Sequence, residues 1–281
     1  MIRRLSGASA TLLKRIRRKL LLRQNPNRLA TFALTGGLKF TCRLGSSTGR
    51  ILTQGDIEGL ERAFVRERLK PGDVFVDIGA NLGLFTLTAA QRAGPSGHVY
   101  AFEPSPREAE MLEYNVRQNG FNNVTIVRQA LSDHSGEASF IVATDGGTNS
   151  LEKNPHPEQI VERREKVSLN TLDAFIADND IRRIDMIKID VEGGECAVLR
   201  GGATVFRRSD APVVLSEFCD LTASGFGSSG RDLYDAWTQY GYKLYTLQPL
   251  STNGIGLAAA SRQDKYEYVN LVASKLHEPL A

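Results

Sequence analysis

Short apolar runs alternate with amphipathic stretches along most of the chain. The runs predict strands at 74–79, 98–103, 124–130, 185–191, 212–218, 242–248 and 266–274. The stretches predict helices at 56–69, 83–93, 106–119, 171–178, 194–207 and 230–240. Such alternation is typical of an α/β fold, in which a mainly parallel sheet has helices on both faces. The last two runs leave no room for a helix between them, so they predict an antiparallel pair at one sheet edge.

One stretch interrupts this alternation. Residues 144–164 are rich in charged and turn-forming residues and lie between two strand-like segments, 137–143 and 166–169. A long irregular segment in a compact domain is usually a lid, a substrate-recognition loop or disordered. All three interpretations remain open for this segment.

The first candidate site lies where two predicted strands end in an acid. Asp77 ends one strand, Glu103 ends the next, and a turn containing Gly79, Asn81 and Gly83 follows Asp77. Glycine and asparagine adopt the left-handed conformations that tight turns require. Since ligands of parallel α/β sheets bind outside the carboxyl ends of the strands, this turn predicts a ligand-binding crevice.

The two acids restrict the ligand. A dinucleotide site seats a pyrophosphate on a G-x-G-x-x-G turn, whereas this chain has a different spacing and carries Asp77 two residues before Gly79. An acid there would repel a pyrophosphate and favour a cationic ligand. Glu103 lies twenty residues after Gly83, a spacing that suits hydrogen bonds to ribose hydroxyls. The pattern therefore predicts S-adenosylmethionine. One alternative, which the missing G-x-G-x-x-G motif and Asp77 disfavour, is an NAD-dependent oxidoreductase on a related fold. Another is that the turn binds no ligand and only joins a strand to a helix.

A second candidate site lies on the strand at 185–191. Alternation places Lys188, Asp190 and Glu192 on one face, although a central parallel strand is normally apolar on both faces. Glu217, near the end of the next strand, adds a carboxylate to the same rim. Buried charges are tolerated when they are paired or bound to a ligand. A structural Lys188–Asp190 ion pair and a catalytic role are both open.

Five motifs in order resemble the FkbM family of S-adenosylmethionine-dependent methyltransferases. They lie within roughly residues 55–220 and are Asp77–Gly83, Phe102–Pro104, Ala130–Asp133, Thr171–Asp173 and Ile187–Gly193. The resemblance implies the class I, Rossmann-like methyltransferase fold with a seven-stranded sheet. It also implies O-methylation, with a hydroxyl on a sugar, glycan or secondary metabolite as the acceptor.

The resemblance also assigns the cofactor residues. Those that would hold the methionine portion are Asp77, Gly79, Asn81 and Gly83. Glu103 would hold the ribose. The residues beside the adenine would be Ala130, Leu131 and Ser132, with Asp133 close by.

Methyl transfer to a hydroxyl needs a group that removes the hydroxyl proton. Asp190 is the first candidate for this base, Glu217 the second, and Glu192 lies beside them. Alternatively the three carboxylates could gather a divalent metal, for which their oxygen ligands suit magnesium or calcium. The sequence offers no further support for a metal.

Charge is distributed unevenly along the chain. Residues 1–55 contain twelve Lys and Arg and no acid, whereas the remaining residues contain 23 Lys and Arg against 32 Asp and Glu. We therefore divide the chain into a basic N-terminal arm with a helix and a short β segment, 1–55, and a methyltransferase domain, 56–281. The arm includes an amphipathic stretch, 12–23, which could contact an anionic membrane surface or pack on the body.

Composition bounds the remaining readings. Cys42, Cys196 and Cys219 are too few and too dispersed for a disulfide framework, which favours a reducing compartment. No stretch of eighteen apolar residues predicts a transmembrane helix. We therefore expect a cytoplasmic protein, which would be peripheral to the membrane if the arm binds there. The acidic body argues against nucleic acid as a substrate. A non-catalytic module that binds through its arm remains an alternative function.

Overall fold

The computed structural model describes residues 27–53, 55, 57–144, 146–151, 160–250 and 254–276. The chain forms two compact units, residues 1–57 and 58–281. The predicted boundary between a basic arm, 1–55, and a methyltransferase domain, 56–281, stays a prediction. The predicted helix at 12–23 lies outside the described residues.

The described part of the first unit is a small antiparallel pair followed by a helix. Strands β1 (Leu29–Ala33) and β2 (Lys39–Arg43) flank a 3₁₀ turn at Thr35–Gly37, and α1 (Ser47–Leu52) follows them. The Ser46 hydroxyl caps α1 by accepting a hydrogen bond from the Gly49 amide at 3.0 Å. Such a cap satisfies one of the free amides at a helix start.

The second unit contains the other strands and helices of the described residues. Its strands are β3 (Val74–Ile78), β4 (His98–Phe102), β5 (Val124–Val127), β6 (Ala130–Leu131), β7 (Gly136–Ala143), β8 (Ser150–Leu151), β9 (Val161–Asn170), β10 (Met186–Ile189), β11 (Val213–Phe218), β12 (Lys243–Pro249), β13 (Ile255–Ala259) and β14 (Val269–Ser274). Its helices are α2 (Gly59–Arg68), α3 (Leu84–Ala93), α4 (Pro106–Gln118), α5 (Leu172–Asp178), α6 (Glu195–Gly201), α7 (Ala203–Arg207), α8 (Asp220–Ser224) and α9 (Gly230–Gln239).

The main sheet has the order β13-β12-β14-β11-β10-β3-β4-β5. Strands β11, β10, β3, β4 and β5 are parallel, and β14 is antiparallel to both β11 and β12. All seven predicted strands are present, and the mixed sheet confirms the predicted fold class. An eighth strand, β13, pairs antiparallel with β12 at the edge. Its sequence, Ile-Gly-Leu-Ala-Ala, lacks the polar alternation that marks a strand.

Apolar residues pack on both faces of this sheet, as the alternating pattern predicted. One face includes Ile187 and Ile189 and is covered by helices α5, α6, α7 and α9. The other face includes Met186 and is covered by α2 and α3. Side chains of β10 therefore point alternately to the two faces, as a strand in the middle of a sheet requires.

The predicted helix at 194–207 is two helices, α6 and α7, that meet at Gly202. Gly201 and Gly202 have low helix propensity and allow the break. A Cβ at Gly202 would lie 2.6 Å from the Phe206 ring, so only glycine fits there without displacing that ring.

A smaller sheet of four strands, ordered β6-β9-β7-β8, lies after β5 in the sequence. Strands β7 and β9 pair antiparallel, and the sheet has a hydrophobic cluster of its own, which includes Phe140, Val142, Val167 and Leu169. Part of the predicted irregular stretch is thus ordered as β8 and the start of β9. Residues 145 and 152–159 lie outside the description, so the role of that stretch stays a prediction.

Among the residues that the structure describes, no helix is both long enough and apolar enough to cross a bilayer.

Gly201 sets the contact between α6 and the segment that follows β6. A Cβ at this position would lie 1.9 Å from the Ser132 carbonyl oxygen, which belongs to the backbone. We expect Gly201→Ala to lower the free energy of unfolding by about 1–3 kcal/mol, measured by urea denaturation, because one element must move away. Gly55→Ala is the control, since its Cβ would meet nothing within 4 Å. Equal effects of the two substitutions would contradict this packing.

Candidate cofactor and acceptor site

The turn after β3 depends on glycine. Gly79 and Gly83 have φ of +82° and +93°, and Asn81 has φ of +50°. A Cβ at Gly79 would lie 1.8 Å from the carbonyl oxygen of Asp190, and one at Gly83 would lie 2.4 Å from Leu112. The turn is therefore packed directly against the end of β10 and against α4.

The Glu103 carboxylate fixes this turn from the neighbouring strand. Its Oε2 accepts a hydrogen bond from the Asn81 amide at 2.8 Å, and its Oε1 accepts one from the Ser105 amide at 2.9 Å. Burial, with Glu108 nearby, raises the pKa of Glu103 to about 8. A carboxylate has roughly four lone-pair positions, so two remain for further donors such as ribose hydroxyls.

The Asn81 side chain ties a distant segment to the same turn. Its Nδ2 donates to the Gly146 carbonyl at 2.7 Å. Arg107 supports that segment by donating to the Ala143 carbonyl at 2.9 Å and by pairing with Glu108 at 2.7 Å. The polypeptide that follows β7 is therefore anchored beside the candidate cofactor turn.

Asp77 is fully buried and only half satisfied. Its Oδ2 accepts a hydrogen bond from the Thr86 hydroxyl at 2.6 Å, and its Oδ1 has no partner among the described residues. Burial raises the pKa of Asp77. A buried acceptor without a donor is costly, so a donor or cation of a bound ligand would be stabilised here. This unsatisfied oxygen, the glycine turn and the free positions on Glu103 fit the cofactor predicted from the sequence.

The segment predicted to lie beside the adenine follows β5 at the carboxyl side of the sheet. Ala130, Leu131 and Ser132 are buried, and the Ser132 amide donates to the Asn170 carbonyl at 2.9 Å. Asp133, in contrast, is exposed. The roles of these residues in binding adenine stay predictions.

The Asp133 carboxylate is engaged by two neighbours on the surface. Its Oδ1 lies 2.8 Å from His134 Nδ1, and its Oδ2 accepts a hydrogen bond from Arg200 Nε at 2.9 Å. Hydrogen bonds from His134 and Arg200 lower the pKa of Asp133. Its role near a cofactor stays a prediction.

Lys188 and Asp190 form an ion pair, with 2.9 Å between Nζ and Oδ2. Lys188 is buried, and its ammonium also lies 3.5 Å from the Gly79 carbonyl oxygen and 4.9 Å from the centre of the Phe85 ring. Burial on its own would lower the pKa of Lys188, but the charges of Asp190, Asp77 and Glu58 raise it above the ordinary value. The ammonium therefore stays charged. The structure thus contains the Lys188–Asp190 ion pair that was one of the two interpretations of the sequence. An ion pair does not exclude a catalytic role for Asp190.

Glu217 lies close to this pair. The residue is 4% exposed, and its Oε2 has no hydrogen-bond partner among the described residues. Burial, together with Asp190 and Glu192, raises its pKa well above the usual range. Of the three candidate catalytic carboxylates, Glu217 is thus the most buried.

Comparison with known proteins identifies the family. The sequence model described as "Methyltransferase FkbM domain" matches residues 77–244, which is more than half of the chain. The chain belongs to the FkbM methyltransferase family. The matched region includes Asp77, Glu103 and Asp190.

Curated relatives match about half of the length of this chain. Methyltransferase sdnD of Sordaria araneosa is 31% identical, over 45% of this chain and 59% of that protein. The 31-O-demethyl-FK506 methyltransferase FkbM of Streptomyces tacrolimicus is 30% identical, over 50% of this chain and 64% of that protein. The chain spans about three fifths of the length of these relatives.

Solved structures give weaker likenesses. An S-adenosylmethionine-dependent O-methyltransferase from Thermotoga maritima has a TM-score of 0.43 and 14% identity, covering 92% of this chain and 82% of that chain. An O-methyltransferase from Bacillus cereus in complex with SAH has a TM-score of 0.44 and 12% identity, covering 78% of this chain and 81% of that chain.

Two acids of the site were not predicted from the sequence. Glu195 is buried and accepts hydrogen bonds from the amides of Val191 and Gly193, at 3.0 and 3.2 Å, so it holds the loop after β10. Burial raises the pKa of Glu195 to about 7. Its position directly after Gly193 and Gly194, at the end of a predicted strand, could have marked Glu195 as a residue of the site. Glu58, which precedes α2, is close enough to Lys188 and Asp190 for their charges to affect its pKa, and no sequence motif pointed to it.

Backbone strain also concentrates here. In the described part of the chain, the non-glycine residues with positive φ are Glu58, Asn81, Asp180 and Glu192. Three of these four belong to the site. Strained conformations are kept when the surrounding structure or a function requires them. The positive φ of Glu58 and Glu192 is therefore a second reason, besides their charge, to consider both residues for a functional role.

No group of three or more His, Cys, Asp and Glu side chains within the described ranges is placed to hold a metal ion. Asp190, Glu192 and Glu217 therefore do not form a set of ligands for magnesium or calcium in this structure.

The raised pKa of Glu217 predicts a pH-dependent stability. Because the folded carboxyl keeps its proton at a pH where the unfolded one ionises, stability is lost as pH rises from about 4.5 through the raised pKa. Glu217→Gln removes this contribution. We expect the variant to gain stability relative to the parent between pH 5 and pH 8, by roughly 1 kcal/mol per pH unit over which only the folded carboxyl is protonated.

Urea denaturation of the cofactor-free protein at several pH values measures this difference. The control is Glu137→Gln, since the Glu137 side chain is 69% exposed in a surface pair with Lys166. Parallel pH profiles for the parent and Glu217→Gln would show that this carboxyl ionises as an ordinary one.

Proposed function

We propose that this FkbM-family chain is an S-adenosylmethionine-dependent O-methyltransferase whose acceptor is a hydroxyl on a sugar, glycan or secondary metabolite. The observation that carries the proposal is the unsatisfied, buried Asp77 carboxylate beside a glycine turn that Glu103 anchors. Family membership supports the same cofactor. The carboxyl ends of β3, β4 and β10 bring this turn and Asp190 together.

The cofactor would be held by the residues of this edge. Asp77 would compensate positive charge of the amino acid portion, and the turn from Gly79 to Gly83 would approach it closely. Glu103 would accept hydrogen bonds from the ribose. Ala130, Leu131 and Ser132 would lie along the adenine.

When bound, S-adenosylmethionine supplies a methyl group activated by a sulfonium. Asp190 would take the proton of the attacking hydroxyl. Two observations support this role: its side chain is 23% exposed, and only its Oδ2 is bonded to Lys188. Lys188 fixes the orientation of Asp190 through the hydrogen bond that its ammonium donates to Oδ2. Glu217 and Glu192 would bind the acceptor beside it, with Glu217 as the second candidate for the base.

The names of relatives support a small-molecule or glycan acceptor. A 2-O-methyltransferase, NoeI of Sinorhizobium fredii, is 30% identical over 47% of this chain, and the hexuronic acid methyltransferase AglP of Haloferax volcanii is 28% identical over 48%. Cytoplasmic location and contact of residues 1–30 with an anionic membrane stay predictions.

Glu103→Ala tests the cofactor site. The substitution removes the acceptor for the ribose and the anchor of the Asn81 amide. We expect the Kd for S-adenosylmethionine to rise at least about tenfold in isothermal titration calorimetry, because two ribose hydrogen bonds of about 1 kcal/mol each are lost. Glu113→Ala is the control, because Glu113 lies on the surface in a pair with Arg128. Unchanged affinity in Glu103→Ala, or tighter binding of NADH by the parent, would contradict the assignment.

Asp190→Asn tests the base. Loss of a general base usually costs about 10²–10⁴-fold in rate, so we expect transfer to slow by at least about a hundredfold while S-adenosylmethionine still binds. The assay incubates the protein with radiolabelled S-adenosylmethionine and host glycolipid, polysaccharide and small-metabolite fractions. A variant that transfers label at the parental rate would exclude Asp190 as the base.

A further inference from the structure

Four parts of the chain bring acidic or hydroxyl groups towards the Lys188–Asp190 pair. Strand β11 pairs with β10 at Ser216 and Ile189 and with β14 at Phe218 and Val269, so the ends of these strands lie side by side. The charge of Asp190 also affects Glu58, Glu217 and Tyr268. Glu58 comes from the entry to α2, Glu192 from the loop after β10, Glu217 from β11 and Tyr268 from the residue before β14. Glu58 and Tyr268 lie 210 positions apart in the sequence and belong to no predicted motif. We call Glu58, Glu192, Glu217 and Tyr268 the acidic rim.

The members of the acidic rim are close enough to affect one another. Burial raises the pKa of Glu58 to about 7; Lys188 opposes this rise, and Asp190 adds to it. Local burial and the charges of Asp190 and Glu217 raise the pKa of Tyr268, although 60% of this residue is exposed. The Tyr268 hydroxyl therefore keeps its proton and can donate a hydrogen bond.

Glu217 supplies an independent sign that a ligand belongs here. It is 96% buried, and its Oε2 has no partner among the described residues. Buried carboxyl oxygens are nearly always hydrogen-bonded in folded proteins. A hydroxyl of a bound acceptor would supply the missing partner without adding charge.

Building on the proposed methyltransferase function, we propose that the acidic rim forms the acceptor pocket around Asp190, and that it selects an uncharged polyhydroxylated acceptor over one with a carboxylate or phosphate beside the reacting hydroxyl. Carboxyl and phenol groups donate and accept hydrogen bonds, as sugar hydroxyls do. An anion in the same place would lie beside the carboxyl groups of Asp190, Glu192 and Glu217, and the ammonium that the described residues place against them is that of Lys188.

The raised pKa values support this selectivity. Burial, together with the charge of Asp190, raises the pKa values of Glu58 and Glu217, although Lys188 opposes the rise. An anionic acceptor bound among these groups would likewise lose water and lie beside the Asp190 charge. Like charges placed together at a binding site reduce binding strongly, so we expect at least about tenfold discrimination.

The experiment uses pairs of acceptors that differ only in charge. Methyl glycosides of glucose, galactose and mannose are each compared with the corresponding methyl hexuronide, and label transfer from S-adenosylmethionine is measured at equal concentrations. The parent should methylate the hexoside of at least one pair at least about ten times faster than its hexuronide. At pH 8, where a carboxyl with a pKa of about 7 is ionised, Glu58→Gln and Glu192→Gln should each lower this ratio by at least about threefold, because each removes a negative charge, whereas Glu137→Gln, on the surface of β7, should leave it unchanged.

The ratio is taken within one preparation, so a smaller folded fraction cancels. Equal or faster methylation of hexuronides overturns the proposal. So does an unchanged ratio in both rim variants, or the absence of transfer to every member of the panel while calorimetry shows S-adenosylmethionine bound. Absence of cofactor binding would instead refute the proposed function, on which this inference rests.

Discussion

A single buried ammonium organises the carboxyl edge of the sheet. Lys188 sits on β10, opposite Asp77 of β3, and is paired with Asp190 at the strand end. A buried charge is stable only when opposite charges compensate it, and here several acids share that task. Because one ammonium cannot neutralise all of them, burial and mutual repulsion raise the pKa values of Glu58 and Glu217. The balance of charge at this edge therefore depends on Lys188.

The same residue links the two halves of the proposed site. Its ammonium approaches the Gly79 carbonyl in the cofactor turn and the Asp190 carboxylate on the acceptor side. The turn is pressed against the Asp190 carbonyl so closely that Gly79 has no room for a side chain. Cofactor and acceptor groups are thus fixed relative to one another by backbone contact and one ion pair. Such fixed placement is what transfer between two bound molecules requires.

Local patterns predicted much of this arrangement and failed where contacts are long-range. The alternation of apolar runs identified all seven predicted strands, because each strand buries a local set of side chains. It also pointed to Asp77 and Glu103, since an acid at the end of an apolar run stands out; their contact with a cofactor stays a prediction. Glu58 could not be found this way, because only the folded chain brings it to Lys188. The bond from Asn81 to Gly146 spans 65 residues and left no trace in either local sequence.

The Lys188–Asp190 pair shows what a sequence pattern leaves open. A charged face on a buried strand predicted either an ion pair or a functional carboxylate, and the structure contains the pair together with unsatisfied acids beside it. Family membership supports the catalytic interpretation without identifying the acceptor. Charge balance around Lys188 then restricts which acceptors can bind, which sequence similarity alone does not do.

A crystal structure of the chain with S-adenosylhomocysteine tests the central claim most directly. The account predicts ribose hydroxyls within hydrogen-bonding distance of Glu103, about 2.5–3.0 Å between oxygens. It also predicts the cofactor sulfur on the side of the turn that faces Asp190. A nucleoside bound elsewhere, or bound at this edge with Glu103 and Asp77 not in contact with it, would contradict the account.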